Sequence, residues 1–189
     1  MKKTVTYFDK PGPANTEPCL EIVKENINKF HYRHVVVATT TGNTGRFFAE
    51  NLKDKDINLI VVTHSHGFKE PNSIELTEEA RAGILTAGAK IYTGTMITHS
   101  LETALAKKFS GVYPTLLVAQ SLRRFGEGSK VCCEMIMMAA DAGLIPEGEE
   151  VITVAGTGHG ADTVTVIRSA ASKRFLELKV LEILAKPRG

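Results

Sequence analysis

The sequence features that restrict the fold of this chain most strongly are two apolar runs. They are "HVVVA" at residues 34–38 and "INLIVVTH" at residues 57–64. A strand covered on one face alternates polar and apolar residues, whereas a strand covered on both faces is apolar throughout. β-branched residues, which favour extended backbone, dominate both runs. Both runs therefore predict central strands of a sheet that carries helices on each side.

The segments around these runs have helical patterns, so strands and helices alternate through the first half of the chain. Apolar spacing predicts three helices, at residues 19–30, 45–56 and 74–88. Short β-rich runs predict two further strands, at residues 4–8 and 89–94. Alternation of this kind is typical of a parallel sheet wrapped by helices.

The second half of the chain has a different order of elements. Three helices are predicted in succession, at residues 96–111, 114–128 and 129–143. The pattern of residues 149–170 predicts a strand, a glycine loop and a second strand. Because the loop is short, the second strand is expected to run antiparallel to the first. Residues 175–189 fit a helix or a strand, and we favour a strand. The prediction is one α/β domain over residues 1–189, with three α/β/α layers and a mostly parallel sheet that has an antiparallel strand near the C-terminus.

Composition and charge narrow the class of protein. The 189 residues have a net charge of only +2, with basic residues scattered among acidic ones, which argues against nucleic acid as a partner. The cysteines are three in number, so they form no even disulfide framework. No apolar run has the length of a signal peptide or of a membrane span. We expect a cytoplasmic protein that has no membrane partner.

The stretch "TTTGNT" lies between the apolar run 34–38 and the helical pattern that follows it. A strand, a Gly-containing turn and a helix N-terminus gather unpaired N–H groups and a partial positive charge, which favour an anion. The threonine hydroxyls add hydrogen-bond donors for such an anion. A helix cap alone needs fewer hydroxyls than this stretch contains, which favours the anion. The alternative is a Thr-rich N-cap that only starts the helix. The predicted phosphate-binding residues are Thr39, Thr40, Thr41, Gly42, Asn43 and Thr44.

A second glycine loop, "GTGHGADT" at residues 156–163, follows the apolar strand near the C-terminus. Successive N–H groups in such a loop can form a nest for an anion. The alternative is a hairpin turn whose glycines serve backbone conformation only. Asp162 either accepts a hydrogen bond from a ligand hydroxyl or bonds the turn backbone, and we favour the backbone. The predicted ligand-binding residues of this loop are Gly156, Thr157, Gly158, His159 and Gly160.

Polar side chains elsewhere provide weaker candidates. Thr63 and His64 follow the second apolar run, and His66 shares their side if the chain stays extended, but a metal needs a third ligand that the sequence does not supply. Asn15 and Thr16 follow the first predicted strand, where they either close over a ligand or cap the next helix.

Glu134 and Asp141 lie on one face of the helix predicted at residues 129–143. They indicate either a solvated stripe or a site carboxylate with a raised pKa, and the stripe is favoured. If the protein is an enzyme, Glu134 and His159 are the candidate acid or base residues.

The two loops resemble those of known families. "TTTGNT" is similar to the T-x-T-G-x-T loop with which flavodoxins hold the phosphate of FMN, and to the T-x-S-G-x-[ST] loop of the pyruvate kinase C-terminal domain. "NLIVVTH" and "VITVAGTGHGADTVTVIRSA" resemble two further segments of that domain. This resemblance implies a pyruvate kinase C-terminal-domain-like fold, and it implies that Gly156, His159, Gly160 and Thr163 line the same ligand pocket as the threonine loop. The barrel domain that carries the pyruvate kinase active site has no counterpart, so pyruvate kinase activity is not expected.

The function predicted from the sequence is the binding of a phosphorylated small molecule, with FMN as the specific candidate. Its ring needs an apolar slot, which Phe68, Tyr7, Phe8, His64 or His66 must supply. The alternatives are an enzyme acting on a phosphorylated metabolite, or a regulatory module that senses a sugar phosphate. An exposed edge strand and the apolar middle helices favour a homodimer.

Overall fold

The two apolar runs form adjacent central strands in the computed structural model, which describes residues 3–189. Within these residues the strands form one sheet in the order β1-β7-β6-β5-β2-β3-β4. The chain folds into the strands Thr6–Phe8 (β1), His34–Ala38 (β2), Asn58–Val62 (β3), Lys90–Tyr92 (β4), Glu150–Ala155 (β5), Thr163–Arg168 (β6) and Lys179–Pro187 (β7). The β2 strand pairs in parallel with β3 and β5, and β3 pairs in parallel with β4.

The C-terminal strands supply the predicted antiparallel part of the sheet. The β6 strand runs antiparallel to both β5 and β7, and β7 pairs in parallel with β1. The segment that fitted either a helix or a strand is extended from Lys179 onward, after a 3-10 helix at Ser172–Glu177. The strand favoured for this segment is therefore confirmed, with a later start.

Helices cover both faces of the sheet, as the unbroken apolar strands require. The helices are Thr16–Phe30 (α1), Asn43–Leu52 (α2), Glu78–Thr86 (α3), Leu101–Phe109 (α4), Pro114–Leu122 (α5) and Glu127–Asp141 (α6). Alternate residues of β2 belong to different cores: Val35 and Val37 pack with α1, α2 and α3, whereas Val36 packs with α6. The three-layer α/β/α fold is confirmed.

The α4–α5 segment leaves apolar side chains in solvent. No residue of α4 is buried, and Leu101, Phe109, Val112 and Leu117 are each more than half exposed. Exposed apolar groups of this size are typical of surfaces that contact another molecule. The homodimer stays a prediction. Among residues 3–189 no helix combines the length and the apolar character that crossing a membrane requires.

The turn between β2 and α2 depends on a glycine. Gly42 has φ +104°, a conformation that side-chain-bearing residues rarely adopt. A Cβ at this position would lie 2.3 Å from the Ala80 Cβ and 2.7 Å from the Leu76 Cδ1, so α3 and the segment before it pack directly on the turn. Gly42 therefore sets the position of the turn against the neighbouring helix.

We expect Gly42→Ala to lower the free energy of unfolding by about 3 kcal/mol, because backbone strain adds to a clash in a packed region. Gly88→Ala is the matched control, since Gly88 also has positive φ but no atom lies within 4 Å of its added Cβ. The control should cost only about 1 kcal/mol. Urea unfolding measures both values, and equal losses would contradict the packing role of Gly42.

Candidate functional site

The carboxyl ends of β2, β3 and β5 open into a cavity of about 700 Å³. These strands are parallel neighbours, so the loops that follow them meet at one edge of the sheet. The volume lies in the range of small-molecule sites. Most of the predicted binding residues line this cavity, namely Thr39, Thr40, Thr41, Asn43, Thr44, Thr63, His64, Gly156, Gly158, His159 and Gly160.

The threonine loop satisfies one amide at the start of α2 and leaves two others without a partner among the residues that the structure describes. The Thr39 hydroxyl accepts a hydrogen bond from the Gly45 N–H at 3.2 Å, so this residue caps α2. The N–H groups of Asn43 and Thr44, in the first turn of the same helix, have no acceptor within residues 3–189. These two amides and the cavity-lining hydroxyl of Thr44 remain available to an anion.

Three predicted binding residues lie outside the cavity lining, and each has a structural explanation. Gly42 packs against α3, as described above. The Thr157 N–H donates to Asp162 Oδ2 at 3.0 Å. Thr163 is fully buried, its hydroxyl donates to Asp162 Oδ1 at 2.8 Å, and Gly128 of α6 packs on it. Asp162 thus bonds the turn backbone, as favoured from the sequence.

The segment before α1 crosses the glycine loop and holds it in place. The Gly12 N–H donates to Asp162 Oδ2 at 3.0 Å, and the Ala161 N–H donates to the Thr16 hydroxyl at 3.0 Å. Thr16 also lines the cavity, whereas the Asn15 side chain donates to backbone carbonyls of its own turn. Of the two, only Thr16 is placed to contact a ligand, and Asn15 makes no side-chain cap of α1.

Glu134 of α6 lines the cavity but is no part of a solvated stripe. Only 3% of the residue is exposed. Its carboxylate accepts hydrogen bonds from the Thr98 N–H at 2.7 Å, from the Thr98 hydroxyl at 2.6 Å and from the Lys130 ammonium. Asp141, in contrast, is exposed and accepts from the Ser172 N–H at 2.8 Å. The stripe favoured from the sequence is therefore wrong for Glu134.

The pKa of Glu134 also differs from the sequence expectation. Burial raises the pKa, but the neighbouring His99, Lys130 and Thr98 lower it further, and the result is a pKa of about 2. The raised pKa that the sequence offered as the alternative to a solvated stripe is therefore wrong as well. Burial lowers the pKa of Lys130, whereas the attraction of Glu134 acts in the opposite direction. A carboxylate so strongly ionised is a poor proton donor near neutral pH, and the buried pair is better suited to holding neighbouring groups in place.

His99 lines the cavity beside this pair, and no sequence pattern singled it out. Its Nδ1 lies 3.2 Å from Lys130 Nζ and 3.2 Å from the Thr98 hydroxyl oxygen. The side chain is 29% exposed, whereas the side chains of Lys130 and Glu134 are 2% and 4% exposed. His99 is thus the exposed member of this cluster, which comprises Thr98, His99, Lys130 and Glu134.

An aromatic wall joins the cluster to the end of β3. His64 Nδ1 lies 2.6 Å from Glu75 Oε2, and the His64 and Phe68 ring centroids are 4.3 Å apart. Phe68 in turn lies 6.1 Å from the His99 ring in an edge-to-face arrangement. Of the residues considered for a flavin slot, Phe68 and His64 line the cavity, but Tyr7, Phe8 and His66 do not.

The two remaining sequence candidates are an acid–base residue and a metal site. His159 lines the cavity as an exposed residue, and its side chain forms no hydrogen bond within residues 3–189. His66 lies in a turn and not in an extended segment, so it does not share the side of His64. In the described part of the chain, no three His, Cys, Asp or Glu side chains are grouped as metal ligands.

A family model described as "Pyruvate kinase, alpha/beta domain" matches residues 17–167. The match includes both loops of the cavity and the cluster around Glu134. It covers well over half of the chain and agrees with the resemblance seen in the sequence.

Solved structures with a similar fold include a pyruvate kinase from Cryptosporidium parvum, 17% identical, with a TM-score of 0.42. The match covers 82% of this chain but only 23% of that chain. An O-ureido-L-serine synthase is 16% identical with a TM-score of 0.33, covering 75% of this chain and 51% of the other. The chain therefore spans about a quarter of the pyruvate kinase it resembles, and the family assignment rests on the sequence match.

Glu134→Gln should lower the free energy of unfolding at pH 7 by about 3 kcal/mol, because the Lys130 ammonium loses its buried partner. The folded-state pKa of Glu134, about 2, lies below its ordinary value of 4.5. Its stabilisation is therefore complete above about pH 4.5 and is lost as the pH falls towards 2. Denaturant unfolding at several pH values should show wild type and variant converging in acid.

Glu127→Gln is the control for this measurement. Glu127 lies on the same helix and pairs with Arg123, but its side chain is 50% exposed. The exposed pair should contribute less than about 1 kcal/mol. A buried, ionised Glu134 would be contradicted by either of two results. One is that Glu134→Gln lowers the free energy of unfolding no more than Glu127→Gln does, and the other is that its effect stays constant down to pH 3.

Proposed function

We propose that this chain, which belongs to the pyruvate kinase alpha/beta domain family, binds a phosphorylated small molecule in the cavity at the ends of β2, β3 and β5, with FMN as the specific ligand. The observation that carries the proposal is the convergence of two amide- and hydroxyl-rich loops on one cavity of about 700 Å³. Each of the two loops follows a parallel strand, where α/β sheets usually bind their ligands.

The phosphate end of the ligand belongs at the start of α2. The free amides of Asn43 and Thr44 point out of a helix N-terminus, where the helix dipole favours a negative group. The Thr44 hydroxyl and the Gly158 backbone line the same space. The acidic lining of the described cavity is limited to Glu134, which Lys130 neutralises. A dianion therefore meets donors there and no unpaired carboxylate.

The remainder of the cavity favours FMN over a sugar phosphate. Its lining includes apolar side chains from several elements, namely Ala38, Val62, Phe68, Met96, Val131, Met135 and Met138. Methionine adapts to flat aromatic surfaces, and an apolar pocket with few polar groups suits a ring system. A sugar phosphate would leave much of this apolar surface in contact with water. A regulatory site for a sugar phosphate is thus the weaker candidate.

An enzyme acting on a phosphorylated metabolite is the second candidate. His99 favours it, because its imidazole lies at the cavity surface with Nδ1 fixed by neighbours. Glu134, first considered as the acid or base, is held ionised by its partners. His159 remains a candidate by position alone.

The purified protein should bind FMN at least about 100-fold more tightly than riboflavin, since riboflavin lacks the phosphate and several charge-assisted hydrogen bonds are lost with it. Quenching of flavin fluorescence measures both dissociation constants. Thr44→Ala should weaken FMN binding about tenfold and leave riboflavin binding unchanged.

Thr86→Ala is the matched control, because Thr86 is an exposed residue of α3 that does not line the cavity. It should bind both flavins like the wild type. Equal affinity of the wild type for FMN and riboflavin would refute a phosphate site at the threonine loop, and a wild type that binds neither flavin would refute FMN as the ligand.

A further inference from the structure

The cavity crosses the sheet edge and has polar groups at both ends. The glycine loop follows β5 and the threonine loop follows β2, whereas His99 lies in the segment after β4. β3 separates β2 from β4 in the sheet, and the Lys130–Glu134 pair that contacts His99 lies on α6, a different element from the threonine loop. The aromatic wall of His64 and Phe68 lies at the end of the intervening strand.

Neighbouring groups fix the His99 ring. The Lys130 ammonium, which Glu134 holds by a second hydrogen bond, lies 3.2 Å from His99 Nδ1. An ammonium has donors and no acceptor, so the Lys130 contact favours His99 Nδ1 as the acceptor and Nε2 as the nitrogen that carries the hydrogen. No partner for Nε2 exists within residues 3–189, although His99 lines the cavity. The ring therefore presents one oriented N–H donor.

We infer that His99 is a second anchor of the ligand, donating from Nε2 to a carbonyl or imide oxygen at the end opposite the phosphate, with the buried Lys130–Glu134 pair as its positioning device. The inference deepens the proposed function and depends on it. Lys130 and Glu134 are too deeply buried to serve as the main contact, since their side chains are at most 4% exposed. Lys130 pairs with Glu134, and Arg123 of the cavity lining pairs with Glu127, so the contact from His99 is a hydrogen bond and not an ion pair.

This arrangement defines a class of ligand. The molecule carries a phosphate monoester at one end, a flat apolar middle that fits the apolar lining of the cavity, and a hydrogen-bond acceptor at the other end. Short sugar phosphates lack both the apolar middle and the distant acceptor. FMN satisfies all three conditions, because the pyrimidine part of its ring bears carbonyl oxygens. Riboflavin keeps the acceptor without the phosphate, and phenyl phosphate keeps the phosphate without the acceptor.

Three probes separate the two ends of the cavity: FMN, riboflavin and phenyl phosphate. His99→Leu should weaken FMN and riboflavin binding by the same factor, about tenfold, and leave phenyl phosphate unchanged. His99→Gln, whose amide nitrogen can replace Nε2 as the donor, should restore most of the flavin affinity. His66→Leu removes an exposed imidazole outside the cavity and should change no affinity. Titration calorimetry measures all three ligands.

The positioning role of the buried pair needs a second readout. Lys130→Met paired with Glu134→Gln removes both charges together and avoids an uncompensated buried ion. This double variant should lose flavin affinity like His99→Leu, and combining it with His99→Leu should add no further loss, since the pair acts through the ring. Nitrogen NMR of histidine-labelled protein should show His99 as the Nε2–H tautomer in the wild type but not in the double variant.

The outcomes distinguish the inference from the function on which it rests. If the wild type binds neither a flavin nor phenyl phosphate, both are overturned. If it binds FMN, and Thr44→Ala weakens FMN and phenyl phosphate, the proposed function stands. The inference alone is then overturned if His99→Leu leaves flavin affinity unchanged, lowers phenyl phosphate affinity equally, or adds fully to the loss caused by the Lys130 and Glu134 changes.

Discussion

The parallel pairing of β2 with both β3 and β5 is the constraint on which the site depends. Val37 lies opposite Val61 on one side and Val154 on the other, so the three strands end at the same level. Side chains on both faces of these strands are buried, and a shift of one residue in register would move each apolar side chain to the opposite face. The register therefore holds three loops together at one edge, and the cavity follows from it.

Stabilising contacts and cavity-lining residues are interleaved within the same loops. Thr39 caps α2 while its neighbours face the cavity, and Asp162 holds the glycine loop while Gly158 lines the space. Loops fixed in this way need little reordering when a ligand binds, which lowers the entropic cost of binding. The start of α2 is therefore pre-formed, as the proposed anion site requires.

The features that the sequence predicted well are those with local causes. Continuous apolar strands indicate a doubly covered sheet, and the glycine- and threonine-rich turn before a helix does line the cavity at the strand ends. The packing roles of Gly42 and Thr163 were not predictable from the sequence. Gly42 packs against Ala80, 38 residues away, and Thr163 packs against Gly128, 35 residues away. A glycine in a sequence motif looks the same whether it lines a ligand site or packs against a helix.

The cluster around Glu134 shows the limit of periodicity arguments. Glu134 and Lys130 are four residues apart on α6, so their pairing was visible in principle, but their burial depends on Thr98 and His99 from a distant segment. The helical pattern alone therefore suggested a solvated stripe. The pKa of Glu134 is lowered partly for the same reason, since His99 and Thr98 from the distant segment lower it together with Lys130 from the same helix.

The measurement that tests this account most directly is a crystal structure of the protein with FMN. The account predicts phosphate oxygens within hydrogen-bonding distance of the Asn43 and Thr44 amides, with the flavin ring extending along the sheet edge towards His99. A phosphate bound elsewhere on the surface, or the ring directed away from β3 and β4, would contradict the central claim that the aligned strand ends form the ligand site.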